Sequence, residues 1–386
     1  MGAELGTAKE LLARLVAFDT TSHKSNIPII AFIEEYLRGQ GVDSVRVPTP
    51  DGQKASLFAT IGPSGIGGIA LSGHTDVVPV TGQAWDTDPF TLTERDGKLY
   101  GRGACDMKGF LACMLALVPA FQARQLKMPI HLAFSYDEEV GCTGVRPMIA
   151  ELGKSLPLPR MVLVGEPTSM TVVDAHKGPM RWSVEVTGKA AHSSMPQLGV
   201  NAITYAGRLL GELARMEEDL KKFPPNPRFD PPYTSLQVTE IEGGTASNIV
   251  PVPCWFGWEI RRLPGFDATA LDQRLRTFAA ETCIPEMQRM APETGIKIEI
   301  GNEVPPFEAD VKSGLVPLAL KLAEQNETFA VCYATEASLF QIHGSSSVVI
   351  GPGNIAQAHT PNEFLPVAEL EKCLAFLGRV GDWAET

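Results

Sequence analysis

Three short apolar runs, Ile69–Gly73, Ile130–Ser135 and Met161–Val164, alternate with amphipathic stretches in the first half of the chain. A short apolar run bounded by polar sequence reads as a buried strand. Between the runs, Ile27–Leu37 and Lys108–Phe121 carry helical periodicity, and Asn26 is placed to cap the first of them. Parallel neighbours in a sheet need a crossover between them, and a helix is the usual crossover. The alternation therefore predicts a layered α/β domain with a mostly parallel sheet.

The pattern changes after Ala175. Arg181–Val186 alternates with period two, and a helix is predicted from Asn201 to Leu220. A proline-rich loop over 223–232 separates it from strand-like Ser235–Ile241 and Cys254–Arg261. Asp267 is placed to cap a further helix, and Ile296–Ile300 alternates again. The order β-α-β-β-α-β resembles a ferredoxin-like unit with an antiparallel sheet. The α/β style returns near Val311, with a helix over Leu315–Glu324, a strand over Ser347–Ile350 and a last helix from Val367. This predicts a discontinuous domain, residues 1–175 and 305–386, interrupted by an inserted α+β domain over 176–304.

A chain of 386 residues is too long for one ordinary core, which agrees with two domains. The net charge of −12 argues against nucleic acid or an anionic membrane as the main partner. No apolar run reads as a membrane span. The amino-terminal stretch from Met1 to Phe18 reads as an amphipathic helix and not as a leader, and Gly6 stands where a myristoylation signal wants Ser or Thr. The seven cysteines form no CxxC pair and are odd in number, which points to reduced thiols in a cytoplasmic protein. The glycine-rich segment over 62–68 lacks a phosphate-loop or dinucleotide fingerprint.

The chemistry lies just past the predicted strands. His74 and Asp76 follow the first run, and residues two apart in extended chain point the same way. Asp76 can thus orient the His74 ring, as a carboxylate behind a metal-binding histidine does. Asp106 sits in a glycine-rich turn before a helix, Glu138 and Glu139 follow Ile130–Ser135, and Glu166 follows Met161–Val164. His359 follows the last predicted strand. In an open α/β sheet such carboxyl ends converge on one crevice. Carboxylates crowded there repel one another, and divalent cations remove that repulsion; carboxylate with imidazole suits zinc or a similar ion.

Ser72–Pro79 (SGHTDVVP), Gly101–Gly109 (GRGACDMKG), Asp137–Glu139 with Gly165–Pro167, and Ala191–Pro196 (AHSSMP) resemble, in order, the signatures of the two-metal aminoacylase and acetylornithine deacetylase family. The resemblance implies an α/β, mixed-sheet metallopeptidase catalytic domain with an inserted ferredoxin-like dimerisation, or lid, domain. It implies two divalent ions, zinc or cobalt. His74 and Glu166 would hold one, Glu139 and His359 the other, and Asp106 would bridge, with a cis peptide after it. Glu138 would be the general base, Asp76 the support of His74, and His192 an oxyanion-stabilising residue donated to the partner subunit of a homodimer. Asn248 and Arg261, with Arg262 as the neighbouring candidate, would grip a substrate carboxylate.

Thr245–Pro251, Thr335–Gln341 and Gly351–Glu363 look most like the acetylornithine deacetylases within that family. The reaction implied is hydrolysis of N2-acetylornithine to ornithine and acetate in arginine biosynthesis. A succinyl-diaminopimelate desuccinylase, an aminoacylase, or a metallo-dipeptidase or carboxypeptidase is the alternative. A carboxylate at Glu336 would favour a cationic side chain such as ornithine's, or else it is a helix-start residue facing backbone amides.

Overall fold

The computed structural model describes residues 2–65 and 67–386; Met1 of the amino-terminal stretch and Ile66 of the 62–68 segment lie outside them. The chain divides into two compact units. The first comprises Met1–Ala175, Glu308–Phe329 and Thr335–Thr386; the second comprises His176–Phe307 and Ala330–Ala334.

A mixed sheet forms the centre of the first unit. Its strands run in the order Ser44–Pro48, Ala55–Ile61, Ile130–Ser135, Ile69–His74, Met161–Val164 and Ser346–Val349, followed by Val173–His176. Ile69–His74 pairs in parallel with Ile130–Ser135 on one side and Met161–Val164 on the other, and Ser346–Val349 pairs in parallel with Met161–Val164. These four central strands therefore end on the same side. Ala55–Ile61 is antiparallel to both of its neighbours. Ile130–Ser135, Ile69–His74 and Met161–Val164 are buried along their whole length, as strands covered on both faces must be.

Helices supply the covering layers. Gly2–Val16 buries Ala8, Leu11, Leu12 and Leu15, one stripe at helical spacing. Ile27–Gly39 buries Ile29, Ile30, Ile33 and Leu37. Asn26 does not cap that helix. Its amide and carbonyl groups instead exchange two 2.9 Å hydrogen bonds with the backbone of Ala55, fastening the helix start to a strand.

The glycine-rich turn is not helical where it matters. Asp106 has φ −122° and ψ 93°, and the Asp106–Met107 peptide is cis. Helix Gly109–Ala116 and the short helix Val118–Gln122 follow. One apolar stretch, Ala104–Gln122, does reach membrane-spanning length, contrary to the sequence expectation, with mean hydropathy 1.5; it is 89% buried inside the protein and packs as core.

The second unit is a four-stranded antiparallel sheet in the order Ser235–Gly243, Pro253–Arg262, Gly178–Thr187 and Gly295–Glu303. Gly178–Thr187 alternates buried and exposed positions along most of its length, so only one face meets the core. The helix Ala202–Leu220 buries Ala206, Leu209, Leu213 and Met216 in that core, and Asn201 caps its start by accepting from the Thr204 amide at 3.1 Å. Trp182 and Trp258 stack in the same core with ring centroids 4.0 Å apart. The indole N–H of Trp182 finds Asp272 of the helix Thr269–Phe278 at 2.8 Å.

Candidate metal centre

His74 is the last residue of its strand, and the acids that follow the neighbouring strands turn toward it. Its Nε2 lies 3.1 Å from Asp106 Oδ1 and 3.7 Å from Glu166 Oε1. The other oxygen of Asp106, Oδ2, lies 3.3 Å from His359 Nε2. His359 Nε2 is also 2.9 Å from Glu139 Oε2. One carboxylate thus faces two imidazoles that arrive from different strand ends. Donor atoms of His74, Asp106 and Glu139 all lie within 4.8 Å of one another, and so do those of His74, Glu138 and Glu166.

Asp76 does more than orient His74. The His74 Nδ1 atom meets the Asp76 carbonyl at 3.0 Å and its carboxylate at 3.4 Å. The two carboxylate oxygens of Asp76 also accept the backbone amides of Glu138 at 3.1 Å and Glu139 at 3.3 Å, and one accepts the Ser22 hydroxyl at 2.8 Å. A single buried acid therefore fixes a histidine and the start of the Glu138–Glu139 turn. Close backbone approach needs glycine beside Glu166. A Cβ at Gly165 would lie 2.0 Å from the Phe110 ring, and one at Gly351 would lie 2.0 Å from the Gly165 carbonyl oxygen.

The electrostatics are those of a crowded acidic cluster. Burial, then the Asp106 charge, pushes Glu166 well above the carboxylate range. Burial also raises Glu138, against the pull of His74, and raises Glu139 to about 7. Asp106 goes the other way: burial opposes its charge, but hydrogen bonds from His359 and His74 hold it ionised. The same contacts with Asp106 and Glu139 raise His359 to about 10. For His74, burial disfavours the charged ring, and Asp106 and Asp76 outweigh it.

The residues present fit divalent cations. Two imidazole nitrogens and several carboxylates converge, a donor set suited to zinc and its neighbours. The Oε1 atom of Glu166 is buried and has no hydrogen-bond partner among the described residues, which is costly for a carboxylate oxygen unless something charged meets it. Glu138 is held differently from the rest, since the Cys142 thiol donates to its Oε1 at 3.2 Å.

Glu336 requires a correction. Its side chain is 1% exposed, so it presents no surface to a substrate's cationic side chain. Nor does it face backbone amides: Oε1 accepts the Ser135 hydroxyl at 2.5 Å and Oε2 accepts that of Ser72 at 3.4 Å. Burial raises it to about 7. The start of helix Ala337–Ile342 is capped instead by Thr335, whose hydroxyl accepts the Ala337 amide at 3.1 Å.

His192, Asn248 and Arg261 belong to the second unit. His192 is exposed, with Nδ1 2.7 Å from the Ser194 hydroxyl and a strand-like pairing to Ile249. Asn248 is exposed, and its carbonyl accepts the Ser193 amide at 3.0 Å. Arg261 is half-buried and pairs with Glu259 at 2.8 Å. Arg262 is buried and occupied by the carbonyl of Val304 at 3.1 Å and by Glu303 at 2.8 Å. Of the two arginines, Arg261 is the one with exposed surface.

Sequence reasoning passed over Ser22, Cys142 and Glu363, each in contact with a residue of the cluster or its loops. Only Glu363 left a trace, as an acid in the segment that follows His359.

Known proteins resemble this chain along nearly all of its length. Residues 70–381 match the model of peptidase family M20/M25/M40. The acetylornithine deacetylase of Myxococcus xanthus is 37% identical over 98% of both chains, and that of Proteus mirabilis is 34% identical over 98% of this chain and 97% of its own. Among solved structures, an M20 family metallo-carboxypeptidase from Sulfolobus solfataricus superposes over all of both chains with a TM-score of 0.78 at 18% identity. A dinuclear metal binding peptidase of the M20 family from Bacillus subtilis does so over 99% of this chain and 98% of its own, with a TM-score of 0.70 at 14% identity. At those identities the structures speak for the fold, while the family match and the curated relatives speak for descent: this chain belongs to peptidase family M20/M25/M40, as a metal-dependent amidohydrolase.

Proposed function

We propose that the chain hydrolyses N2-acetylornithine to ornithine and acetate, using two zinc or cobalt ions. The observation that carries the metal part is Asp106, whose two oxygens lie 3.1 Å from His74 and 3.3 Å from His359. In this reading His74 and Glu166 would hold one ion and Glu139 and His359 the other, with Asp106 serving both. Bound there, such ions supply a water of lowered pKa and an electrophile for the acyl carbonyl.

The chain's own residues do the rest. Glu138 takes a proton from the attacking water and returns it to the leaving amine, so its carboxyl must cycle between charged and neutral. Asp76 keeps Glu138 in place through its backbone amide, so the base cannot drift from the cluster. Asn248 and Arg261 are the proposed grip on the substrate carboxylate, since a guanidinium can bind one bidentately.

The substrate assignment rests on the names of the curated relatives. Direct pairing with Glu336 is not part of it. We further propose a cytoplasmic homodimer formed through the second unit, acting in arginine biosynthesis, in which His192 of the partner subunit steadies the oxyanion. Exposed Met195, Leu198, Ile241 and Ile249 on that unit support an interface, and seven unpaired cysteines support a reducing compartment.

The test is acetate release from N2-acetylornithine, with N-acetylmethionine and N-succinyl-diaminopimelate alongside, before and after chelation. A clear preference for acetylornithine that returns with zinc or cobalt is the expected result. Preference for another of the three moves the substrate and keeps the mechanism, and metal-independent turnover removes the mechanism.

A further inference from the structure

Asp106 and His359 come from loops far apart in sequence, yet their facing atoms lie 3.3 Å apart. Neither loop is regular structure. Asp106 sits in a non-helical turn, and His359 has φ 61°, a left-handed conformation that a residue with a Cβ avoids unless something holds it. Glu363, 1% exposed, accepts three backbone amides of the first of these loops. Its Oε1 accepts the amides of Cys105 at 2.9 Å and Asp106 at 3.1 Å, and its Oε2 accepts the amide of Gly103 at 3.0 Å.

The same Oε2 pairs with Arg102 Nη1 at 2.7 Å, both side chains being buried. The other terminal nitrogen of Arg102 donates to Gln83 Oε1, and the guanidinium lies over the Trp85 ring at 5.1 Å. Gln83 then closes the circuit by donating through Nε2 to the His359 carbonyl at 2.8 Å. Trp85 Nε1 donates to Gln83 Oε1 at 3.2 Å, which fixes the amide's orientation.

We propose that Glu363, Arg102 and Gln83 form a clamp that fixes the separation of Asp106 and His359, and thereby sets the affinity of the centre for its second divalent ion. The clamp rests on the two-metal reading above. None of the three touches substrate in this account; they are positioning residues. The planar fork of Arg102 is what lets one side chain bond a carboxylate and an amide at once. The two ends of the clamp act on different ligands. Glu363 holds the loop of Asp106, which both ions share, whereas Gln83 holds only the His359 backbone.

The experiment is calorimetric titration of zinc into the metal-free full-length protein, as wild type, Gln83→Ala and Glu363→Gln, with thermal unfolding of each metal-free protein recorded in parallel. Wild type should take up two ions. Gln83 is only half-buried, so Gln83→Ala should unfold as wild type does, bind the first ion unchanged and bind the second about 10- to 100-fold more weakly, the usual effect of losing a group that positions a ligand. Glu363→Gln should weaken both. Wild-type affinity for both ions in Gln83→Ala overturns the clamp whatever Glu363→Gln does, and so does equal weakening of both ions in Gln83→Ala. Fewer than two ions in wild type instead overturns the two-metal reading, and the clamp with it.

Discussion

His74 and His359 face the same carboxylate, but the protein holds them in opposite ways. His74 closes a strand inside a parallel sheet, is 1% exposed, and has its ring tied to Asp76. His359 lies in a loop, is 49% exposed, and is fixed through its backbone carbonyl by Gln83. The first is placed by the core and cannot move without disturbing it. The second stands on an irregular loop and is placed by a chain of polar contacts, of which the Gln83 bond to its carbonyl is the outermost. The difference suggests that one half of the centre is a permanent part of the fold while the other is adjustable.

The largest break in this comparison is Asp106→Asn, which removes the charge both sides share. Both ions should be lost, measured as metal content after dialysis, with activity falling to background. His359→Ala should lose one ion and keep the other; loss of both would show that the two sides are not separable. Next comes Glu138→Gln, which alters neither histidine nor the shared Asp106. Metal content should stay at the wild-type value while kcat drops about 10²- to 10⁴-fold, the range for loss of a general acid–base group. Retained turnover would take that role from Glu138.

Asp76→Asn sharpens the comparison from the buried side. It weakens the hold on His74 and on the Glu138 and Glu139 amides, so the first ion should bind about 10- to 100-fold more weakly. The last test separates the centre from its scaffold. His131, buried in the strand Ile130–Ser135, is depressed by burial from an ordinary 6.5 to about 4. The unfolded chain then binds the extra proton more readily between those values, so stability is full above pH 6.5 and falls as pH drops toward 4, by an amount on the order of 3 kcal/mol. The difference in melting between His131→Phe and wild type, both metal-free, should carry this slope across pH 6.5 to 4, while metal uptake at neutral pH is unchanged.

Much of this was legible in the sequence because strands buried on both faces must be uniformly apolar. Ile69–Gly73, Ile130–Ser135 and Met161–Val164 are strands in the structure, and the residues after them meet at one end of the sheet because parallel strands share that end. The antiparallel strand Ala55–Ile61 was missed, although its residues are nearly as apolar and Pro50-Asp51-Gly52 just before it is a turn signal. Asn26 was misread because its side chain found a strand backbone rather than its own helix. Glu336 was misread for a deeper reason. Local sequence cannot tell a carboxylate at the mouth of a site from one sealed beneath it, and only the tertiary meeting with Ser72 and Ser135 decides. Glu363 escaped for the same cause, since its partners lie about 260 positions earlier in the chain.

The glycines beside Glu166 bear on how this enzyme can vary. A methyl group at Gly351 would sit 2.0 Å from the Gly165 carbonyl oxygen, and one at Gly165 would sit equally close to Phe110. Neither residue carries any chemistry, yet even alanine there must shift the backbone that presents Glu166. In a saturation scan the two positions should look as intolerant as the histidines. A library meant to change substrate preference gains nothing by sampling them, and its diversity belongs in segments whose backbone has room to take a new side chain.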